Sequence, residues 1–231
     1  MTQVSKDFNP PLYYPLYIIR SNLYKKMLKY APLLSGKLMD FGCGSKPYKS
    51  LFTQVDEYIG VDYQGEGHSH VNEEIEVYYD GKTLPFEDNT FDSILANEVL
   101  EHIFNLEAIL QELKRVLKPG GKILISIPFA WNEHEVPVDF GRYTSFGLTD
   151  IINRNGFNLI AMEKTTSFVE TQAQLNIVFW HKHIFPRFKP FATILAYSYA
   201  FLANICCIIK SKIFPSTNDW YLNLVVLAEK K

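Results

Sequence analysis

The residues most able to do chemistry form a glycine turn followed by a distant acid. Gly42 and Gly44 come directly after a short apolar run, and Asp62 ends the next apolar run. Glycines after a strand let the backbone approach a ligand closely, and an acid about 20 residues later suits the two hydroxyls of a ribose. The spacing therefore predicts a site for a cofactor that contains adenosine.

Two common nucleotide sites fit this turn poorly. The dinucleotide fingerprint needs a third glycine three residues after the second, and Pro47 stands there. NAD and FAD are therefore disfavoured, and with them a nicotinamide oxidoreductase. A phosphate-binding P-loop is disfavoured because no Gly-Lys-Ser/Thr follows the turn. S-adenosylmethionine fits instead, since it has no pyrophosphate to be held.

Composition bounds the class of protein. The chain has 231 residues, of which 47% are hydrophobic and 21% charged, so we expect one globular domain with a sizeable core. A net charge of −2 gives no field to attract nucleic acid, which we do not expect as a partner. Cys43, Cys206 and Cys207 form no disulfide framework. Together with a first segment that lacks an apolar signal, this predicts a cytoplasmic location.

Apolar runs and helical periodicities alternate along the chain. Strands are predicted at residues 38–41, 58–62, 75–79, 91–96, 123–127, 157–162 and 220–228. Helices are predicted within 12–34, from Pro47, over 106–117 with Asn105 as N-cap, and from Thr144 to Asn153. The alternation predicts an α/β fold with a doubly wound, mostly parallel sheet, whose ligands lie at the carboxyl ends of the strands.

Four segments carry a family resemblance. They are DFGCG at 40–44, GVD at 60–62, LPFEDNTFD at 84–92 running into NEVLEH at 97–102, and RVLKPGG at 115–121. Over residues 37–163 the chain resembles the class I S-adenosylmethionine-dependent methyltransferases, close to the type 11 family that includes the ubiquinone-biosynthesis enzymes. The resemblance implies a Rossmann-like sheet of seven strands, of which the seventh is antiparallel, and S-adenosylmethionine as the cofactor of a methyltransferase.

The resemblance also implies cofactor contacts. The turn would pass close to the methionyl part, Asp62 would bind the ribose, and Asp80 with the Gly81 backbone would read the adenine. Asp40 and the Asn97 backbone would approach the methionyl amine. The implied residues are Asp40, Gly42, Cys43, Gly44, Asp62, Asp80, Gly81 and Asn97. Lys46 stands where the wider superfamily often has another glycine, and Asp80-Gly81 is also a good turn dipeptide in its own right.

The segment 131–144, after the fifth strand, is the predicted acceptor site. His134 is the expected general base because imidazole titrates near neutral pH. Substrate contacts are expected from Glu135, Asp139, Arg142 and Tyr143. The alternative is a polar lid in which Asp139 and Arg142 pair with each other. The segment resembles those of methyltransferases that accompany surface-polysaccharide synthesis. The acceptor is therefore expected to be either a small molecule or a glycan, and the methyl group is expected to go to an oxygen atom.

Two histidine pairs invite a metal interpretation. His68 with His70 and His181 with His183 would each share a face of a strand. No cysteine or acid lies at a recognised ligand spacing from either pair, so no metal is expected.

The chain divides into an N-terminal helical segment, 1–36, and a methyltransferase domain, 37–231, with a helical insert at 165–218. Residues 191–209 of this insert contain no charge. The insert is expected to be a lid or dimer face, or a helix pair at the inner face of a membrane whose flanking cations contact anionic headgroups. A catalytically silent protein that binds a partner through this insert is the alternative function.

Overall fold

Seven strands form one sheet in the computed structural model, which describes residues 4–64, 74–215 and 217–231. The strands are β1 Gly36–Phe41, β2 Val55–Tyr63, β3 Val77–Tyr79, β4 Phe91–Asn97, β5 Leu117–Pro128, β6 Phe157–Lys164 and β7 Asn223–Lys230. Their order is β3-β2-β1-β4-β5-β7-β6, and β7 is antiparallel to both neighbours. The predicted fold class is thereby confirmed, and the order reverses between β1 and β4, where ligands bind in such sheets.

Five α-helices flank this sheet in the described residues. They are α1 Tyr17–Tyr30, α2 Leu106–Val116, α3 Ser145–Arg154, α4 Phe168–Phe179 and α5 Ala192–Ile213. Both predicted N-caps are present: the Asn105 side chain accepts from the Ala108 N–H at 3.3 Å, and Thr144 Oγ1 accepts from the Gly147 N–H at 3.1 Å. Local capping chemistry therefore sets where α2 and α3 begin.

Two predicted boundaries are wrong. Pro47 opens no α-helix, because β2 already begins at Val55 and leaves room for one 3₁₀ turn, Lys49–Leu51. α2 ends at Val116, just before the segment 119–121 that was predicted to stop it. That segment is not a loop but part of β5, which starts at Leu117 and pairs with β4 through an irregular register.

The central strands are buried on both faces, which explains their continuous apolar runs. Successive residues of β4 show this: Ile94 packs in the cluster beneath α2 and α3, whereas Leu95 packs in the cluster that contains Leu23 and Met27 of α1. A third cluster joins α1, α4 and α5, with Ile18, Ile19, Ile177 and Ala200 among its members. The insert therefore packs on the helix that precedes the sheet.

Candidate active site

A cavity of about 460 Å³ lies at the carboxyl ends of β1, β2, β4 and β5, with α1 along one side. Its position is the one predicted from the strand order. The predicted site residues in its wall are Gly42, Cys43, Gly44, Asp62, Asn97, His134 and Glu135. Residues that are far apart in the sequence thus meet at one opening.

The glycine turn leaves no space for a side chain at Gly42. Gly42 has φ +68°, and a Cβ there would lie 2.3 Å from Val99 Cγ2. The N–H groups of Gly42 and Cys43 both donate to the Val61 carbonyl, at 2.8 and 3.2 Å. Burial raises the pKa of the Cys43 thiol, which therefore stays neutral. The turn presents backbone to the cavity, as a close-fitting ligand requires.

Asp62 is tied to this turn. Its Oδ2 accepts from the Gly44 N–H at 2.9 Å, and its Oδ1 accepts from its neighbour Tyr63 at 2.8 Å. The carboxylate is half-buried in the cavity wall and has lone pairs left to accept from two further hydroxyls. A glycine turn without room for a Cβ at Gly42, next to a held carboxylate, fits the ribose and methionyl parts of S-adenosylmethionine.

Asp40 lies beneath the turn and outside the cavity wall. Its side chain shares a sheet face with Leu38, and its Oδ2 accepts from the Tyr58 hydroxyl at 2.5 Å. Burial raises the pKa of Asp40 to about 7. The expected contact with the methionyl amine stays a prediction.

The predicted adenine contacts are also absent from the wall. Asp80 is exposed, and its Oδ1 accepts from the N–H groups of Lys82 and Thr83 at 2.8 and 2.9 Å. Gly81 has φ +82°, and a Cβ there would lie 2.8 Å from the Tyr63 ring. The pair forms the turn that the sequence offered as its alternative, and Tyr79 lines the cavity instead.

Two polar residues follow one another at the end of β4. Asn97 Oδ1 accepts from the Ser126 hydroxyl at 2.9 Å. Glu98, which the sequence analysis missed, lies in the left-handed region at φ 54° and lines the cavity. Its carboxylate accepts from Asn223 Nδ2 at 2.8 Å and lies 2.7 Å from Ser126 Oγ, whose single hydrogen is shared between Asn97 and Glu98. A strained residue held by two partners is typical of a functional position.

His134 is oriented by Asp139. Asp139 Oδ2 lies 3.1 Å from His134 Nδ1 and 3.0 Å from its backbone nitrogen. Since a carboxylate only accepts, Nδ1 carries the hydrogen and Nε2 keeps its lone pair. Burial raises the pKa of Asp139, but hydrogen bonds from Arg142 and the His134 backbone outweigh it and hold that pKa at about 2. Burial also lowers the pKa of His134, which is therefore neutral at pH 7.

A buried acid lies near the Nε2 edge of this imidazole. Glu101 is fully buried, and neither of its carboxylate oxygens has a hydrogen-bond partner. Burial raises the pKa of this carboxyl well above its usual range. Its Oε1 lies 3.7 Å from His102 Nε2 and 3.9 Å from His134 Nε2.

These three side chains could together hold a metal ion. Their ligand atoms lie within 4.8 Å of one another, and within the described ranges no other group of this kind is found. His102 Nδ1 donates to the Val138 carbonyl at 2.9 Å, which leaves its Nε2 free to ligate. The sequence analysis weighed only neighbouring histidine pairs: His181 and His183 are exposed, and His68 with His70 lies outside the described residues.

The four predicted substrate residues lie in three different places. Glu135 reaches the cavity wall. Asp139 and Arg142 lie behind His134 and pair with each other, at 2.5 Å between Oδ1 and Nη1. Tyr143 packs against the core instead. The segment folds back because the N–H groups of Phe140 and Gly141 both donate to the Glu101 carbonyl.

Much of the remaining wall is apolar and was not predicted. It includes Phe8, Leu16, Ile19, Leu23, Val99, Ile103, Trp131 and Val138, with Arg20 as a cation among them. Several of these residues come from α1 and the chain before it. Their pattern in the sequence is that of any core-facing helix, so only the three-dimensional arrangement reveals them.

Comparison with known proteins places this site in a class. Residues 39–125 match a family model described as a methyltransferase domain. The chain is 32% identical to the human mitochondrial ubiquinone biosynthesis O-methyltransferase over 127 residues, which is 47% of this chain and 34% of that protein. It is 34% identical to a demethylmenaquinone methyltransferase of Staphylococcus saprophyticus over 112 residues, 43% of this chain and 48% of that protein. The matches thus span less than half of each curated relative.

Solved structures share the fold at low identity. The cyclase SpnF superposes with a TM-score of 0.53 at 19% identity, covering 92% of this chain and 82% of its own. Phosphoethanolamine N-methyltransferase 2 of Haemonchus contortus, in complex with S-adenosyl-L-methionine, superposes with a TM-score of 0.54 at 16% identity, covering 100% and 60%. At such identities these likenesses show the fold alone.

The sheet has the fold of the class I methyltransferases, and residues 39–125 within it match a methyltransferase domain. More particularly, the matched residues 39–125 resemble the type 11 methyltransferases. The cofactor of this family is S-adenosylmethionine, as the sequence predicts.

Proposed function

We propose that this protein transfers a methyl group from S-adenosylmethionine to a hydroxyl oxygen of a small-molecule acceptor. The observation that carries the proposal is the pair His134–Asp139, whose imidazole stands in the wall of the same cavity as the glycine turn and Asp62. A methyl acceptor that must lose a proton gains from a base at this position.

The donor side of the cavity would hold the cofactor. Asp62 would accept from its ribose hydroxyls, and the backbone of the turn around Gly42 and Gly44 would face its methionyl part. When bound, S-adenosylmethionine supplies a methyl group that its sulfonium already activates. The protein is therefore required chiefly to align the acceptor and to remove its proton.

His134 would take that proton on Nε2. Asp139 accepts from Nδ1 and so fixes the ring, and its charge stabilises the imidazolium as it forms. Arg142 keeps Asp139 ionised throughout. Because burial lowers the pKa of His134, the base is in its active form at neutral pH, and turnover should fall only when the pH drops below that lowered pKa.

The acceptor side favours a molecule with an apolar body and a few polar groups. Its walls combine side chains such as Ile19 and Trp131 with Arg20 and Glu135. The curated relatives named above are a ubiquinone-biosynthesis and a demethylmenaquinone enzyme, which supports a hydroxylated ring as the acceptor. A hydroxyl of a lipid-linked glycan is the second acceptor class, supported by the polar segment around His134.

Calorimetry and a transfer assay test the proposal. Both S-adenosylmethionine and its demethylated product should bind, and labelled methyl should pass to hydroxylated quinone precursors rather than to unmodified sugars. Methyl transfer to glycans alone would show that the acceptor is a glycan hydroxyl and not a hydroxylated ring. No binding of either cofactor form would overturn the enzyme assignment and favour a silent member of the fold.

A further inference from the structure

The outer face of α5 is apolar and exposed. Ile194, Leu202, Ile209 and Ile213 are 67%, 62%, 51% and 70% exposed. Among the described residues, α5 is the one helix that is long and apolar enough to cross a membrane, yet only 22% of its most apolar stretch is buried. Contiguous exposed apolar surface of this kind marks contact with lipid or with another protein.

The opposite face of α5 is anchored to the domain. Ala200 and Cys207 pack in the cluster that contains Ile18 of α1. Asn204 is fully buried, and its Nδ2 donates to the Leu12 carbonyl at 2.7 Å. Crossing a bilayer would break these contacts and would separate β7 from the sheet to which it returns. The helix can therefore lie along a membrane but cannot span it.

The positive charge around α5 favours an anionic membrane as its partner. The segment 165–218 contains five cations, all of them exposed, and Glu170 as its single acid, whereas the whole chain has a net charge of −2. The cations flank the apolar face at both ends: Lys182, Arg187, Lys189, Lys210 and Lys212. An apolar face bordered by cations matches the boundary between acyl chains and anionic headgroups.

Exposed aromatic rings stand at both ends of α5. Phe188 and Phe191, before and at its start, are 53% and 61% exposed, and Phe214, just past its end, is 54% exposed. Aromatic rings are enriched at the depth of the headgroups, beside the cations that reach towards phosphate. The ends of the helix are thus suited to the interface and its middle to the acyl chains.

A second copy of the chain suits this face less well. In an antiparallel pair, Lys210 and Lys212 would approach Arg187 and Lys189 of the other copy, and in a parallel pair each cation would approach its own equivalent. Glu170 is the one acid of the segment and cannot balance them. Headgroup phosphates neutralise the same cations without repulsion.

We propose that α5 lies in the interfacial layer of an anionic phospholipid membrane, with the face of Ile194, Leu202, Ile209 and Ile213 towards the acyl chains. The protein is then peripheral, at the inner leaflet of a membrane, where anionic lipid is available to a cytoplasmic protein. The same cluster that anchors α5 also contacts Leu16 and Trp131 of the cavity wall. An acceptor dissolved in the membrane would thus meet the cavity close to the lipid surface, and this last step rests on the proposed function.

Vesicle flotation of the full chain tests the proposal. The protein should float with phosphatidylglycerol–phosphatidylcholine vesicles and remain behind with pure phosphatidylcholine. The double substitution Leu202→Gln/Ile209→Gln should weaken binding by about two orders of magnitude. The pair Lys210→Gln/Lys212→Gln should weaken it about thirtyfold, and added salt should reduce this second effect.

Matched controls separate this surface from general stickiness. Phe146→Gln removes a still more exposed apolar side chain, 87% exposed on α3, and Lys231→Gln removes an exposed cation just past the end of β7. Both should leave flotation unchanged. Thermal melting of each variant verifies its fold, independently of any cofactor.

Three outcomes would overturn the proposal. The first is a folded wild type that does not float with anionic vesicles. The second is helix variants that float like the controls. The third is a dimer, seen by light scattering, that the Leu202→Gln/Ile209→Gln change dissociates. Cofactor calorimetry on the same samples reports separately on the proposed function, so the two ideas can fail independently.

Discussion

The two sides of the cavity are built by different means. The donor side, around Gly42, Gly44 and Asp62, is mostly backbone held by backbone, and a short stretch of sequence specifies it. The acceptor side consists of side chains drawn from α1, from the end of β4 and from the segment after β5. The spacing of glycines in the sequence predicts a site made of backbone. No such spacing predicts a site made of side chains that are far apart in the sequence. Four experiments bear on this contrast.

The largest effect is expected on the donor side. Asp62→Ala should lower the affinity for S-adenosylmethionine about a thousandfold, because two hydrogen bonds to a charged acceptor are lost. Asp62→Asn keeps the acceptor for the Gly44 N–H and should lose less. Calorimetry measures both.

Asp80→Ala is the matched control for this loss. Asp80 lies in an exposed turn outside the cavity wall, so its removal should change affinity only severalfold. An equal loss in the two alanine variants would show that the adenine contact predicted from the sequence is real.

The acceptor side should respond in turnover and not in cofactor binding. His134→Ala should lower kcat by about two orders of magnitude and leave the Kd of S-adenosylmethionine unchanged. Asp139→Asn should lower it less, since the ring loses its orientation but stays in place. The exposed His183→Ala serves as control. Unchanged turnover in His134→Ala would remove the general base from the mechanism.

Asp40 should make the donor side sensitive to pH. Its folded pKa of about 7 stands above the usual 3.8, so between these values the folded state binds more protons than the unfolded state. The free energy of unfolding should therefore fall as the pH rises from about 4 to about 7, by roughly 3 kcal/mol. Urea titrations across this range measure it. Asp40→Asn should flatten the slope, and an unchanged slope would assign it to other groups.

The smallest effect should separate two neighbours on α1. Ile18 and Ile19 are both buried in the same cluster, but only Ile19 also lines the cavity. Ile19→Ala should raise the acceptor KM about tenfold, and Ile18→Ala should reduce stability with the KM unchanged. Equal KM values for the two variants would remove α1 from the acceptor site.

The sequence predicts the sheet well because each strand and cap depends on local residues. All seven strands overlap the apolar runs that predict them, and Asn105 and Thr144 cap their helices. The helix predicted to begin at Pro47 is absent because the segment before β2 is too short for one. No residue within that segment indicates how early β2 begins.

The site was predicted unevenly for a physical reason. Asp62 meets the turn through adjacent parallel strands, which fold topology alone brings together. Glu101, His102 and His134 converge because the segment after β5 folds back onto a backbone carbonyl, and a pattern of residue types does not encode such a contact. Asp80 differs from both, since it lies in an exposed turn outside the cavity wall and the adenine contact that the family resemblance implies stays a prediction.

The hydrogen bond between Asp62 and the Gly44 N–H has a kinetic consequence. In the proposed binding mode, Asp62 and the turn that it holds face the ribose and the methionyl backbone of the cofactor, and neither contact depends on the methyl group that is transferred. The spent cofactor should therefore compete with fresh cofactor on nearly equal terms. Flux through the enzyme would then follow the cellular ratio of the two forms, so the protein would report methylation status as well as respond to its acceptor.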